Sequence, residues 1–253
     1  MANVSERGRP DRALGVFETL LVLDGAPVEL DAHLARLRAS VRELFGADQP
    51  ARLDELVRER SATLGAGAGR LRLTVAPGAG GLLDADAVVE RVDEAQLFPS
   101  WERAVTLRPL TIAGGLGAHK WVDRSAFASG ADASLALVLD EDGEVLEAER
   151  ANVFVVEDDV LLTPRADGRI LPGVARARVL GAARTLDLEL CVQPVGIERL
   201  LAAGEAFLTG SVRGVEPVRA VGDVSLRAPG EVARAIADEL RRSWTAARTA
   251  LAT

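Results

Sequence analysis

Of the 30 Lys and Arg residues, only Lys120 is a lysine; wherever else the chain needs a cation it uses arginine. The two are chemically different. A guanidinium stays protonated in any protein setting, whereas a desolvated ammonium can lose its proton, and the free amine then condenses with a carbonyl to form a Schiff base. Lys120 follows Ala113, Gly114, Gly115, Leu116, Gly117, Ala118 and His119 and precedes Trp121 and Val122. Such an apolar, glycine-rich setting favours the neutral amine, because loss of water penalises the charged form.

A lysine that captures an aldehyde cofactor such as pyridoxal phosphate needs company: an anion cradle, a carboxylate for the pyridine nitrogen, and room for a small amino substrate. For the cradle, Leu171-Pro172-Gly173-Val174-Ala175-Arg176 opens an apolar-periodic helix through Val179, Leu180, Ala183 and Leu186. Proline early in a helix and glycine where backbone must approach a ligand leave a bare N-terminus, whose N–H groups and dipole favour an anion. An ordinary strand-to-helix turn would read the same way. Thr209-Gly210-Ser211 at the end of an expected strand offers a hydroxyl, and Arg36 offers a charge that elsewhere in an arginine-rich helix would be solvated. For the ring nitrogen, Glu147 follows Val145-Leu146 and precedes Ala151-Asn152-Val153-Phe154; a carboxylate there would keep a pyridinium protonated. Arg108 and Arg124 are candidates for a substrate carboxylate by charge and position.

The elements that must position these residues follow from periodicity. Val16, Phe17 and residues 20 to 23 read as a strand, Asp24-Gly25 as a turn, and residues 28 to 30 as the returning strand. Asp31 then caps a helix with Leu34, Leu37, Val41, Leu44 and Phe45 on one face and Gly46 at its end. A second helix covers 52 to 64. Strands are expected at 70 to 76, 86 to 92 and 103 to 112, closing a first domain over 1–113. Residues 114–118 form a linker that leaves Lys120 at the junction with a second domain over 119–253. The second domain carries short strands at 134 to 139, 145 to 146, 153 to 156, 160 to 162, 188 to 195 and 205 to 209, with helices at 173 to 186 and 230 to 251.

Composition sets the remaining bounds. A net charge of -8 without a block of like charges lacks the basic footprint of a nucleic-acid binder. No apolar run approaches the roughly 18 residues needed to span a bilayer, and the first dozen residues are polar, so the expectation is a cytoplasmic protein with no membrane partner. Cys191, the only cysteine, lies in an apolar stretch and reads as core filler. No metal is called for.

Taken together, the segments resemble the fold type IV pyridoxal-phosphate enzymes, the family of branched-chain and D-amino acid aminotransferases and 4-amino-4-deoxychorismate lyase. The matching pieces run in the family's order over nearly the whole chain. They are Gly15-Val16-Phe17-Glu18-Thr19, His33-Leu34-Ala35-Arg36-Leu37, His119-Lys120, residues 147 to 154, Thr163-Pro164 with residues 171 to 176, and Gly210-Ser211 with Pro217-Val218. The resemblance implies an α+β, two-domain fold of the D-amino acid aminotransferase type, with a small N-terminal domain and a larger mixed C-terminal one. It implies pyridoxal 5'-phosphate as cofactor, Lys120 as the Schiff-base lysine, and Glu147 as partner of the pyridine nitrogen. Arg36, Gly173, the backbone of Val174 and Ala175, and Ser211 are the implied phosphate ligands. Homodimerisation is implied as well.

Two features depart from the family pattern: Ala175 replaces the usual threonine, and Ala13-Leu14-Gly15 shortens the usual Gly-Asp-Gly. The chain has no tyrosine, and Ser125 stands where bacterial aminotransferases of the group carry one. His119-Lys120-Trp121-Val122-Asp123-Arg124 is nearer the lyase pattern, with Asp123 in place of its asparagine. The expected function is therefore the lyase that releases pyruvate and 4-aminobenzoate. A branched-chain or D-amino acid aminotransferase and a non-catalytic family member are the alternatives.

Overall fold

The computed structural model describes residues 9–128, 134–227 and 230–250. It is a mixed α+β structure in which the chain divides into two compact units, a smaller one built on residues 10–97 and 119–125 and a larger one built on 98–118 and 126–242.

The smaller unit contains β1 (Val16–Leu23), β2 (Ala26–Pro27), α1 (Leu30–Phe45), α2 (Leu53–Ala62), β3 (Ala68–Pro77) and β4 (Leu83–Arg91). Its strands are antiparallel in the order β2-β1-β3-β4. Alternation puts Leu71, Leu73 and Val75 on one face of β3. There, with Val16, Leu20 and Val22 of β1, they form a core with Leu34, Leu37 and Val41 of α1 and Val57 of α2. Gly46, at φ 62°, ends α1 and donates to the Arg42 carbonyl. The start of α1 departs from expectation. The returning strand stops at Pro27, which has no N–H for the ladder, and Glu29 turns the chain at φ 58°, so the helix begins at Leu30 with Asp31 inside its first turn.

Residues 120–122 also belong to this unit and pair with the start of β1. The Phe17 N–H donates to the Lys120 carbonyl at 2.8 Å and the Val122 N–H to the Gly15 carbonyl at 3.1 Å, with Val16 opposite Trp121. Gly15 is needed on the way in: at φ 85°, an added Cβ would lie 2.2 Å from the Val75 carbonyl oxygen.

The larger unit contains β5 (Val105–Thr111), β6 (Leu135–Leu139), β7 (Val145–Ala148), β8 (Asn152–Glu157), β9 (Val160–Thr163) and α3 (Val174–Thr185). These are followed by β10 (Leu190–Val192), α4 (Ile197–Ala202), β11 (Glu205–Gly210), β12 (Gly214–Val221), β13 (Val224–Ser225) and α5 (Glu231–Ala250), of which residues 231–242 lie in this unit. The nine-stranded sheet runs β10-β9-β8-β11-β12-β5-β6-β7, with β13 pairing β12. It is covered on both faces. Val153 and Val155 of β8 join a core with Leu200 of α4, while Phe154 and Val156 face Val179 of α3 and Ile236 of α5. Burial on both sides explains why β8 reads as an unbroken apolar run. Phe154 stacks on Phe207 of β11 with centroids 5.3 Å apart.

β5 pairs in parallel with both β6 and β12, and the crossover from β5 to β6 carries Lys120. β12, β13 and α4 are additions to the sequence reading. The expected end of the last helix at 251 lies outside the described residues. Cys191 sits half-buried on β10, an edge strand among the described residues, and packs against the core that holds Leu162 and Leu200. No helix among the described residues is long and apolar enough to cross a membrane.

Candidate active site

The smaller unit presents Lys120. Its Nζ stands 4.7 Å from the centroid of the Phe17 ring, and the guanidinium of Arg72 on β3 lies 3.9 Å from the same centroid. Two cations therefore share one aromatic ring. The Arg72 guanidinium is held below its ordinary range by burial, with repulsion from Arg70 adding to the effect. Arg70 is itself paired with Glu90 at 2.5 Å. Arg72 had no signal in the sequence beyond alternating with Leu71 and Leu73.

On the opposite face of β1, Glu18 interrupts the apolar alternation of Val16, Leu20 and Val22 and is 1% exposed. It accepts a bidentate fork from Arg36, Nε at 2.8 Å and the second nitrogen at 2.6 Å, and lies 2.7 Å from His33 Nδ1. Burial alone would raise the Glu18 carboxyl, but the charge of Arg36 and the hydrogen bonds from His33 and Arg36 outweigh it and hold the group down at about 2. Arg36, expected to meet phosphate, is thus oriented by a carboxylate behind it. His33 Nε2 is buried without a partner among the described residues.

The larger unit gathers Glu147 and the α3 start around Asn152 and Leu171. Glu147 of β7 accepts the Leu171 N–H at 3.2 Å, and Asn152 Nδ2 donates to the Leu171 carbonyl at 2.9 Å. Both side chains thereby fix the residue two before Gly173. Gly173 caps α3 with no side-chain hydrogen bond, so the N-cap residue supplies no acceptor to the first N–H groups of the helix, those of Val174 and Ala175 among them. A Cβ on Gly173 would lie 2.0 Å from Asn152 Oδ1, so a larger residue there must displace the Asn152 side chain. Thr209 of β11 is in register with Asn152, its Oγ1 is buried without a partner among the described residues, and Ser211 follows two residues on in the turn beyond the strand. The loop before α3 is tied down at Arg169, which bonds Asp140 at 2.9 Å, Glu144 at 2.7 Å and Asp167 at 2.8 Å. Those hydrogen bonds raise its already high proton affinity. Asp140 and Glu144, with Asp142 nearby, are the one acidic cluster of metal-ligand size among the described residues, and Arg169 supplies its counter-charge.

The structure brings Glu147, Gly173, Val174 and Ala175 together through Asn152 and Leu171, and places Ser211 beyond the neighbouring strand end. Arg108 lies on β5 with its Nε buried and lacking an acceptor among the described residues. Arg124 is half-buried in the smaller unit, four residues after Lys120. Asn152 was overlooked in the sequence because it reads as the first residue of an apolar strand.

These residues suit pyridoxal phosphate. In the larger unit, the bare α3 start and the Thr209 hydroxyl, buried without a partner among the described residues, would suit a phosphate and Glu147 a ring nitrogen; in the smaller unit, the Lys120 amine would suit an aldehyde. Residues 15–112 and 113–221 match the model of the amino-transferase class IV family. The chain belongs to that family. Its fold is that of a hypothetical aminotransferase from Mycobacterium tuberculosis in a pyridoxal-phosphate-bound form. That structure is 24% identical, has a TM-score of 0.81, and matches over 93% of this chain and 90% of the other. The class IV chain is also similar to the structure of 4-amino-4-deoxychorismate lyase from Pseudomonas aeruginosa, at 29% identity, TM-score 0.74 and 96% of both chains. In sequence it is 31% identical over 154 residues to the branched-chain-amino-acid aminotransferase of Escherichia coli. That match takes in 58% of this chain but spans only about half of the relative, 47% of its length.

Proposed function

We propose that this class IV chain is a pyridoxal-phosphate enzyme that cleaves 4-amino-4-deoxychorismate into pyruvate and 4-aminobenzoate. Two sets of groups carry the reading, each within its own unit: Lys120 and Arg72 on the Phe17 ring in the smaller unit, and a bare helix start with Glu147 nearby in the larger one. Lys120 would hold the cofactor covalently, the α3 N–H groups, Ser211 and Arg36 its phosphate, and Glu147 its ring nitrogen. When bound, the cofactor supplies an electron sink for the carbon that bears the substrate nitrogen.

The chain's own residues supply the rest. The Lys120 amine removes the proton from the carbon bearing nitrogen. The adjacent carbon–oxygen bond then breaks, and enolpyruvate departs and takes up a proton to become pyruvate. The ring left behind is aromatic, which drives the step. Glu147 would keep a proton on the cofactor's ring nitrogen. Arg72, with Arg108 and Arg124 as further candidates, would hold a substrate carboxylate by a charge-assisted fork.

The absence of any tyrosine to meet the cofactor's ring oxygen supports this reaction, and a lyase is among the proteins that the chain resembles over nearly its whole length. The aminotransferase similarity keeps transamination of branched-chain or D-amino acids as the second reading. Purified protein with cofactor and aminodeoxychorismate should release 4-aminobenzoate and pyruvate without any keto-acid acceptor. Turnover only with an amino acid plus 2-oxoglutarate would overturn the lyase assignment in favour of the second reading, and no turnover in either assay would leave the chain as a binding protein.

A further inference from the structure

α1 carries four polar side chains, His33, Arg36, Ser40 and Glu43, at successive separations that place them along one face of the helix. The first two hold Glu18. The other two meet His119, the residue immediately before Lys120. His119 Nδ1 lies 3.0 Å from Ser40 Oγ, and Nε2 lies 3.5 Å from Glu43 Oε1. With the Nε2 hydrogen turned towards Glu43, Nδ1 is left as the acceptor for the Ser40 hydroxyl. The His119 side chain is only 10% exposed, and its ring meets Trp121 edge-on with centroids 5.4 Å apart.

Lys120 is therefore anchored twice. Its carbonyl accepts from Phe17 on β1, and the side chain just before it reaches α1. A lysine amine rides on a long, flexible stem, so its position depends on how firmly its backbone is placed. α1 is also the helix whose Arg36 is held by Glu18, the neighbour of the Phe17 that carries the Lys120 amine. One helix face thus fixes both the lysine-bearing strand and the arginine.

We propose that His119 is a positioning residue for Lys120: it docks the lysine strand on the α1 face that presents Arg36, so that the amine keeps a fixed place relative to the guanidinium. This rests on the reading of Lys120 as the lysine that binds the cofactor.

The test uses the full chain. Because no other lysine is present, attachment of pyridoxal phosphate to Lys120 can be followed directly. The lysine nitrogen bonds to the aldehyde carbon with loss of water, and borohydride makes the link permanent for mass analysis of the peptide. His119→Phe keeps a ring against Trp121 but removes both polar contacts, whereas His119→Gln retains an amide able to reach Ser40. For His119→Phe the maximal attachment rate should fall roughly tenfold or more, the scale of a misplaced reacting group. The half-saturating cofactor concentration should change little, and the Phe17 and Val122 amides should exchange their hydrogens faster. His119→Gln should restore both rate and protection. Ser40→Ala is the second variant should the phenylalanine protein not fold, and it should shift both readouts the same way.

A wild-type rate with unchanged exchange in His119→Phe overturns the proposal, as does an effect confined to the half-saturating concentration. If the wild-type chain itself takes no cofactor on Lys120, the cofactor reading falls. The exchange comparison then decides separately whether His119 docks the strand.

Discussion

Replacing Glu18 by Gln isolates the buried charge that orients Arg36. The side chain is nearly isosteric, so packing in the core of the smaller unit is kept while the carboxylate's charge is lost. Arg36, whose side chain is 10% exposed, then faces a neutral partner. Holding the carboxyl at about 2 instead of 4.5 contributes about 3 kcal/mol at neutral pH, at roughly 1.4 kcal/mol for each pH unit. That figure agrees with the roughly 3–5 kcal/mol expected when one member of a buried ion pair is removed. Because the folded-state value lies below the unfolded one, the contribution is complete above about pH 4.5 and fades as the pH falls towards 2. Urea unfolding of the wild type and the variant, repeated between pH 7 and pH 2.5, measures the difference. Other carboxylates titrate in both proteins and cancel. The stability gap should be about 3 kcal/mol at neutral pH and should close steadily below pH 4.5. A gap that stays constant through the acid range, or one below about 1 kcal/mol at pH 7, would refute the claim that Glu18 is a buried anion held by Arg36.

Gly173→Ala should cost about 1–3 kcal/mol of stability, because the new methyl group overlaps Asn152 Oδ1 and pushes the α3 start away from it. Calorimetry and a cofactor titration should show lower stability together with weaker cofactor binding; an unchanged affinity would argue that the α3 start holds no phosphate. Arg72→Met should lower kcat/KM by roughly 10- to 100-fold, the equivalent of losing one charged hydrogen bond of about 1.5–3 kcal/mol. Steady-state kinetics that match the wild type would remove Arg72 from the substrate site. Lys120→Arg should keep the fold but abolish turnover, and circular dichroism with the 4-aminobenzoate assay would check both at once.

Helical and strand periodicity made much of the scaffold legible: Leu34, Leu37 and Val41 with Gly46 mark α1, and Leu71, Leu73 and Val75 mark β3. β12 escaped because Pro217 and a buried Glu216 break its apolar pattern, and the charge of Glu216 is met only in three dimensions, by Arg150 and Arg213. At the site, the helix start at Gly173 could be read because proline and glycine leave a local signature. The pairing of Glu18 with His33 and Arg36, and of His119 with Ser40, could not, since each joins residues far apart in sequence. A hint was present in Glu18, a charge at a position where alternation demands an apolar residue. Arg72 gave no such hint, because a polar residue on the open face of a strand is what alternation predicts.

The central claim is that the amine of Lys120 is the group that captures the cofactor. Its most direct measurement is peptide mapping after borohydride reduction of the protein loaded with pyridoxal phosphate. The account predicts a pyridoxyl modification on the peptide carrying Lys120 and none in Lys120→Arg; modification confined to the chain's α-amino group, or equal labelling of the variant, would contradict it.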